Sequence, residues 1–483
     1  MTRLPLALLL SASMLAGCAV GPNYSRPTSV ATEGAPSAAA FKEAQGWKPA
    51  QPVDHIDRGA WWSVFNDSVL DGLMKRVAID NQNVAVREAA YRQARALTSE
   101  ARAAFFPTVN ATTSRQTSER AGGGGQVING QVVTNAGPTT VYNANLSASW
   151  VPDVWGRIRR NVEGSRANNQ ASAADLASAT LSFQADLATN YFILRSLDEQ
   201  KRLLDTSVES FRQATNLANN QYNAGVVARS DVITAETQLR NAQAQAIDLG
   251  IQRTQLEHAI AILVGVAPSQ LSLAVAPLTR AVPVAPTGLP STLLERRPDI
   301  AAAERLAQAA SAQIGVQTAA WFPNLTLSGN YGYNSTELGS LFSASSNLWA
   351  YGPQLALQVL DFGARNARIR QARAVYDQRV ASYRQTVLTA FQTVEDQLAA
   401  LRILQDEAVL RAETETSARR AEELALNRYR AGQTDITAVV QAQNVSLSAQ
   451  QSTLLALRQR LVASVSLIEA LGGGWTTADL PRG

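Results

Sequence analysis

All 18 prolines of this 483-residue chain avoid two long stretches, 153–267 and 354–480. Proline removes a backbone donor and clashes with the preceding turn, so its absence over such lengths permits uninterrupted helix. Inside both stretches apolar residues recur at helical spacing: Leu187, Tyr191 and Leu194 in one, Phe391, Val394, Leu398 and Leu401 in the other. Each carries one turn signal, at Gly225 and at Gly432, where glycine suits a helix C-terminal cap. A continuous helix from Val154 to Tyr222 would run about 100 Å, too long for an ordinary globule, so such helices must pack lengthwise. Alanine dominates them, and Gln, Asn and Ser occupy a second face, which implies close helix approach with water on one side. Strict Leu/Ile/Val heptads are missing, which argues against a filament.

The chain also says nearly the same thing twice. Phe106-Pro107 is answered by Phe322-Pro323, and Asp153-Val-Trp-Gly156-Arg157 by Asp361-Phe-Gly363-Ala-Arg365. Tyr222-Asn-Ala-Gly225 is answered by Tyr429-Arg-Ala-Gly432, and Leu263-Val-Gly265 by Ala470-Leu-Gly472. A duplicated unit of about 200 residues is no short-period solenoid; it suggests equivalent walls of a symmetric assembly.

Between the helical stretches the period changes to two. Tyr142, Ala144, Leu146, Ala148 and Trp150 alternate with Asn143, Asn145, Ser147 and Ser149. Leu325, Leu327, Gly329, Tyr331 and Tyr333 alternate with Asn324, Thr326, Ser328 and Asn330. Leu355, Leu357 and Val359 repeat the scheme against Gln354 and Gln358, and Thr108 to Ser114 is a weaker fourth run. These lengths suit tilted transmembrane strands, and Trp150, Tyr331, Tyr333, Trp349 and Tyr351 fall where an aromatic girdle would. A soluble half-buried sheet is the other reading of the same pattern. Four strands cannot close a transmembrane barrel, and an open edge is forbidden in lipid. Membrane-spanning strands would therefore require several chains to share one barrel, with cyclic symmetry.

Composition excludes much else. Apolar residues make up 46% of the chain and the formal charge is only +4. The arginines lie opposite acids on helical faces, the pattern of solvated surfaces rather than of nucleic-acid binding. One cysteine, Cys18, and two histidines, His55 and His258, rule out zinc sites built from these residues. No phosphate-cradling loop, pocket carboxylate pair or Ser/His/Asp set is evident, so neither an enzyme nor a cofactor or metal is expected. After the leader no apolar run is long enough for a transmembrane helix.

The leader has a basic Arg3, an apolar core from Leu4 to Leu15 and the small-residue site Leu15-Ala16-Gly17-Cys18. It resembles a bacterial lipobox, which implies cleavage after residue 17 and acylation of Cys18; Ala19 in place of an aspartate implies the outer membrane. Multiple acyl chains anchor stably. The expected order is a signal peptide over 1–17, an extended lipidated tether over 18–60 and a first repeat over 61–267. That repeat holds a β-hairpin at about 108–152 and a helical hairpin at about 154–265. A Pro-rich connector over 268–290 leads to a second repeat over 291–472, with a β-hairpin at about 324–361 and a helical hairpin at about 362–472, then a tail over 473–483. From Asp67 to Ala104 the pattern is helical, Ala-rich and proline-free.

Taken together the lipobox, Trp61-Trp62-x-x-Phe65, both Phe-Pro pairs, both Tyr-x-x-Gly turns and Glu295-Arg296-Arg297-Pro298-Asp299-Ile300 resemble the TolC-like outer membrane factors. The match is to the lipoprotein branch serving resistance-nodulation-division (RND) efflux pumps. The resemblance implies a mostly α fold with a transmembrane β portion: a homotrimer with a twelve-stranded barrel, four strands per chain, continued by a long helical barrel. It implies a passive exit duct for drugs and other small toxic compounds. It further implies a periplasmic adaptor and an inner-membrane RND pump as partners, outer-membrane lipid through acylated Cys18, and no nucleic acid. A protein-secretion or metal-ion duct, or a structural lipoprotein without a pore, are the alternatives. Tyr222, Gly225, Tyr429 and Gly432 would mark the periplasmic tips. The family often carries acids six and nine residues after the second-repeat glycine, where this chain has Ala438 and Gln441. Arg229, Asp231 and Asp435 are the candidate gate instead. Arg157, Arg159, Arg160, Arg365, Arg368 and Arg370 would meet lipid phosphates or pair along their helices.

Overall fold

The computed structural model describes residues 19–28, 60–119, 126–128, 131–133, 138–283, 297–473 and 481. Leu15, Ala16, Gly17 and Cys18, residues 29–59, and Glu295 and Arg296 lie outside them. The chain divides into two compact units. One comprises residues up to Arg26, Gln93–Asn169 and Arg305–Val380; the other comprises Pro27–Arg92, Gln170–Glu304 and Ala381–Gly483.

The duplication is literal in the elements. Helices α1 (Ser68–Asp80) and α2 (Gln82–Ala103) precede strands β1 (Thr108–Ser118) to β4 (Thr139–Trp150), with a small β2–β3 pair (Gln126–Ile128, Gln131–Val133) between them. Then come α3 (Arg157–Asn223) and α4 (Arg229–Leu263). The second half runs α5 (Pro298–Ala319), β5 (Asn324–Ser335), β6 (Asn347–Ala356), α6 (Ala364–Arg430) and α7 (Ile436–Ala470). Corresponding helices match in length: 22 residues for α2 and α5, 67 for α3 and α6, 35 for α4 and α7. The β2–β3 pair has no counterpart in the sequence reading.

In the first unit, β1, β4, β5 and β6 form one antiparallel sheet in the order β1-β4-β5-β6. Strand β6 ends at Ala356, so Leu357 and Val359, expected to extend it, lie beyond it and are exposed. Alternation alone carried that expectation, and the strand's own start at Asn347 shifts the pairing toward Trp349 and Tyr351. Small residues bring α3 and α5 together: a Cβ at Gly164 would sit 3.5 Å from the Ala309 carbonyl and 3.6 Å from the Ala312 methyl.

The second unit is helical. Leu197, Leu204 and Phe211 of α3 recur every seven residues and pack against Leu249, Ala246 and Ala242 of α4 and against Leu447 of α7. Val394, Leu398 and Leu401 of α6 meet Ala463, Leu467 and Ala470 of α7 in the same manner. A larger core gathers Trp61, Trp62 and Phe65 with Met74, Leu187, Tyr191, Phe192, Ile260 and Val465. The helical pattern over Asp67–Ala104 is carried by two helices that meet at Asn81. Its side chain accepts from the Asn83 and Val84 amides, capping α2, and donates to the Leu263 carbonyl. Gly265, with φ of +74°, lets the end of α4 press against the Asp80 carbonyl, where any Cβ would collide.

Glu469 on α7 shows how this packing constrains charge. Burial lifts its carboxyl above the ordinary range and nearby Asp186 adds to the effect, while a hydrogen bond with Ser182 opposes it. A raised pKa means the folded state holds an extra proton between the ordinary and the raised value. Stability from this group is thus full below the ordinary value and is lost as pH rises through the folded one. Glu469→Gln should therefore raise the melting temperature at neutral pH and leave it nearly unchanged near pH 4. Thermal melts followed by circular dichroism at both pH values check this; a loss at neutral pH would refute it.

Candidate functional site

The sheet separates its two faces by chemistry. Pairing places Ala111, Leu146, Tyr331 and Trp349 in one row, and Ala148, Gly329 and Tyr351 in the next, with Trp150, Leu327 and Pro353 beyond. The opposite face carries Asn110, Ser147 and Asn330 in one row, with Thr112 and Asn145, then Asn143 and Asn334 further along. Asn334 donates to the Asn143 side-chain oxygen at 2.6 Å. The apolar row is bare in the single chain: Tyr351 is 82% exposed, Trp349 65% and Leu146 49%. Water would not tolerate so large a contiguous aromatic face on a monomer, and lipid requires one. Strands β1 and β6 each have one unpaired edge. An unpaired edge in a bilayer costs several kcal/mol per group, so further strands must complete the wall.

The junctions below the strands repeat one device. Asp153 accepts from the Ile158 and Arg159 amides, starting α3, and Asp361 accepts from the Gly363 and Arg365 amides, starting α6. Arg159 and Arg365 return to the same carboxylates at 3.1 and 2.6 Å. Arg160 pairs with Glu163 at 2.7 Å. Three of the six arginines expected near lipid are thus committed inside the chain, while Arg157, Arg368 and Arg370 remain exposed. Trp155 stacks on Phe322 at 4.8 Å and donates to the Pro323 carbonyl, tying the second half to the first.

The two helix tips are built alike. Val226 N–H reaches the Gln221 carbonyl and Gly225 N–H the Tyr222 carbonyl; Gln433 and Gly432 repeat this with Arg428 and Tyr429. This is the Schellman closure, with glycine in the left-handed region (φ +74° and +68°). The tyrosines diverge. Tyr429 is buried among Ala214, Ala218, Val232 and Ile436, and its hydroxyl has no hydrogen-bond partner. Tyr222 is half-open beneath the Arg229 guanidinium, 5.6 Å from the ring centre. Asp435 caps α7 through the Ala438 amide at 2.9 Å. Burial, and then the charge of Asp231, push the Tyr429 phenol up. Among the described residues no ion pair joins Arg229 to Asp231 or Asp435 within one chain.

Sequence reasoning missed the buried ionic knot of the helical unit. Asp198, with a side chain 1% exposed, receives Arg195 at 3.1 Å and Arg253 at 2.7 Å. Arg253 also pairs with Glu257 at 3.3 Å. The guanidinium of Arg195 donates to the Ala274 carbonyl and that of Arg253 to the Leu273 carbonyl; the Leu273 amide returns to Glu257 and the Ala276 amide to Asp198. Tyr191 lies under Arg195, 4.8 Å away, and donates to Asp67 at 2.6 Å, whose other oxygen caps α1. Chain separation hid the Arg253–Asp198 pair and the connector contacts, whereas Arg195–Asp198 and Arg253–Glu257 lie one helical turn apart.

A sheet with one lipid-suited and one water-suited face, left open at both edges, in a chain that also carries two helical hairpins, defines a wall segment of an outer-membrane channel. The chain belongs to the outer membrane efflux protein family, whose model matches residues 73–266 and 289–473, one match per repeat. It is 30% identical to the probable efflux pump outer membrane protein TtgC of Pseudomonas putida over 481 residues, covering 98% of this chain and 96% of that one. The pyoverdine export outer membrane protein OpmQ of Pseudomonas aeruginosa is 30% identical over 426 residues, 87% of this chain and 89% of its own. Among solved structures, the outer-membrane channel OprN superposes with a TM-score of 0.84 at 30% identity, over 95% of this chain and all of that one. The fold is that of TolC-like channels, and the protein is an outer-membrane efflux component.

Proposed function

We propose that three copies of this chain form a passive exit duct for drugs and other small toxic organic compounds, fed by a periplasmic adaptor and an inner-membrane RND pump. The observation that carries this reading is the continuous division of the four-stranded sheet into an aromatic face and an Asn/Ser/Thr face with free edges. Closing such a sheet with sister copies leaves a wet lumen and a lipid-compatible exterior. The chain performs no bond chemistry; its part is to hold a water-lined path open, while the pump supplies the energy. The proposed anchor is acylated Cys18 in outer-membrane lipid. The repeats are proposed to run over 61–267 and 291–472.

The tips at Gly225 and Gly432 are the proposed adaptor-facing end. Arg229, Asp231 and Asp435 are proposed to bar the aperture by contacts between copies, since Arg229 and Asp435 are exposed and Asp231 partly so. Purified assemblies in planar bilayers test both parts. Stable single-channel steps support a pore, whereas silence from folded oligomer favours a scaffold. Asp435→Asn should raise the closed-state leak; an unchanged leak removes the gate but not the duct. Which compounds gain potency after deletion of the gene would identify the cargo.

A further inference from the structure

Strands β1, β4, β5 and β6 carry a single charged residue, Arg115 of β1. The register fixes its face. Arg115 lies opposite Tyr142, and the same side of β1 presents Ala111 and Thr113, which pair with Leu146 and Ala144. Arg115 therefore stands on the apolar face, its guanidinium 5.8 Å from the centre of the Tyr142 ring. The side chain is exposed, and no carboxylate among the described residues pairs with it. A charge on the lipid side of a strand is costly at the midplane and tolerated near an interface. The neighbouring rows agree with an interface. Inward lie Ala144 and Tyr333, then Leu146 and Tyr331. Outward lie Thr117 and Thr140, whose hydroxyls share a hydrogen bond at 2.9 Å.

Depth follows from the rise of the strand. From Tyr142 to Trp150, β4 advances about 27 Å, or about 20 Å across a bilayer at the usual tilt, close to the height of a barrel's apolar band. Leu146 lies midway. The Trp150 end leads into α3, so Arg115 and Tyr142 mark the opposite boundary, where hydrocarbon gives way to headgroups. We propose that Arg115, with Tyr142 beside it and the Thr117–Thr140 pair beyond it, binds a phosphate of the phosphorylated glycolipid in the outer leaflet. This rests on the reading above that the sheet crosses the outer membrane with the helices on the periplasmic side. The guanidinium fork matches phosphate oxygens, and the aromatic ring steadies it. Acyl chains then follow the apolar rows past Ala144 and Leu146, while the threonine hydroxyls meet the sugar. A phosphatidylethanolamine headgroup carries its own ammonium beside its phosphate, whereas the glycolipid's phosphates have no cation of their own to match.

The test titrates the full-length oligomer, purified in detergent, with diphosphoryl lipid A, and bound lipid is counted by native mass spectrometry. Arg115→Gln should bind it about fivefold more weakly than the parent, the effect of one cation at a lipid surface. Arg115→Lys, still a cation, should stay closer to the parent. A second arm needs no variant to fold: the parent should bind enzymatically dephosphorylated lipid A more weakly by a similar factor. Equal binding by parent and Arg115→Gln, or equal binding of the two forms of lipid A, would overturn the site. Phosphatidylglycerol held as tightly as lipid A would overturn the assignment to glycolipid. Conductance in planar bilayers separates this from the duct. An Arg115→Gln oligomer that conducts, yet binds lipid A like the parent, sinks the site alone, whereas a parent oligomer that forms no channel sinks the reading on which the site rests.

Discussion

Leu146→Arg is expected to prevent outer-membrane assembly, while Ser147→Arg one residue away assembles. The two positions are sequence neighbours on opposite faces: Leu146 pairs with Ala111 and Tyr331, Ser147 with Asn110 and Asn330. A guanidinium on the lipid face of a barrel strand costs about 2–4 kcal/mol near the midplane, against little in a wet lumen. In the proposed trimer the penalty is incurred three times. Heat-modifiable migration on gels and the yield of folded protein in outer-membrane fractions measure the outcome. Ser147→Arg should also lower cation conductance, because its charge faces the permeation path. If the two variants assembled equally well, the assignment of the faces, and with it the duct, would be wrong.

Asp198→Ala should be the most damaging single change in the helical unit. It leaves Arg195, 3% exposed, without its carboxylate, frees one bond of Arg253 and removes the acceptor of the Ala276 amide. Breaking a buried pair by deleting one partner costs about 3–5 kcal/mol, a large share of the stability of a typical domain. The connector Leu273–Ala276 should then detach from α3 and α4, and Leu273 would lose its place in the core. Proteolysis within the connector, followed in purified protein, should accelerate together with a fall in melting temperature. Asp198→Asn, which keeps the acceptor oxygen but not the charge, should fall between parent and Ala variant. Wild-type stability in the Ala variant would show that the knot contributes nothing net.

The contrast between those two sites shows what a linear sequence exposes. Helices and strands are governed by neighbours a few positions away. The proline-free runs, the spacing of Leu187, Tyr191 and Leu194, and the alternation from Tyr142 to Trp150 therefore read directly as the elements observed. Duplication was legible for the same reason, since Gly225 and Gly432 close identical turns from identical local signals. Ends were less legible. Alternation past Ala356 continued after pairing stopped, and Asn81 broke a helical pattern because its side chain found the Leu263 carbonyl far along the chain. At the tips, Arg229 lies over the Tyr222 ring and Asp435 caps its own helix, neighbours that residue type alone did not name.

By itself the sequence determined the two repeats, the long helices and the two-sided strands, because each is a periodicity of burial that local geometry converts into shape. Tertiary structure alone decided that Arg160 holds Asn23 and that Arg253 reaches Asp198 beneath the connector. The physical reason is that an ion pair or hydrogen bond depends on a few ångströms in space. Separation along the chain carries no trace of that distance until the helices have packed.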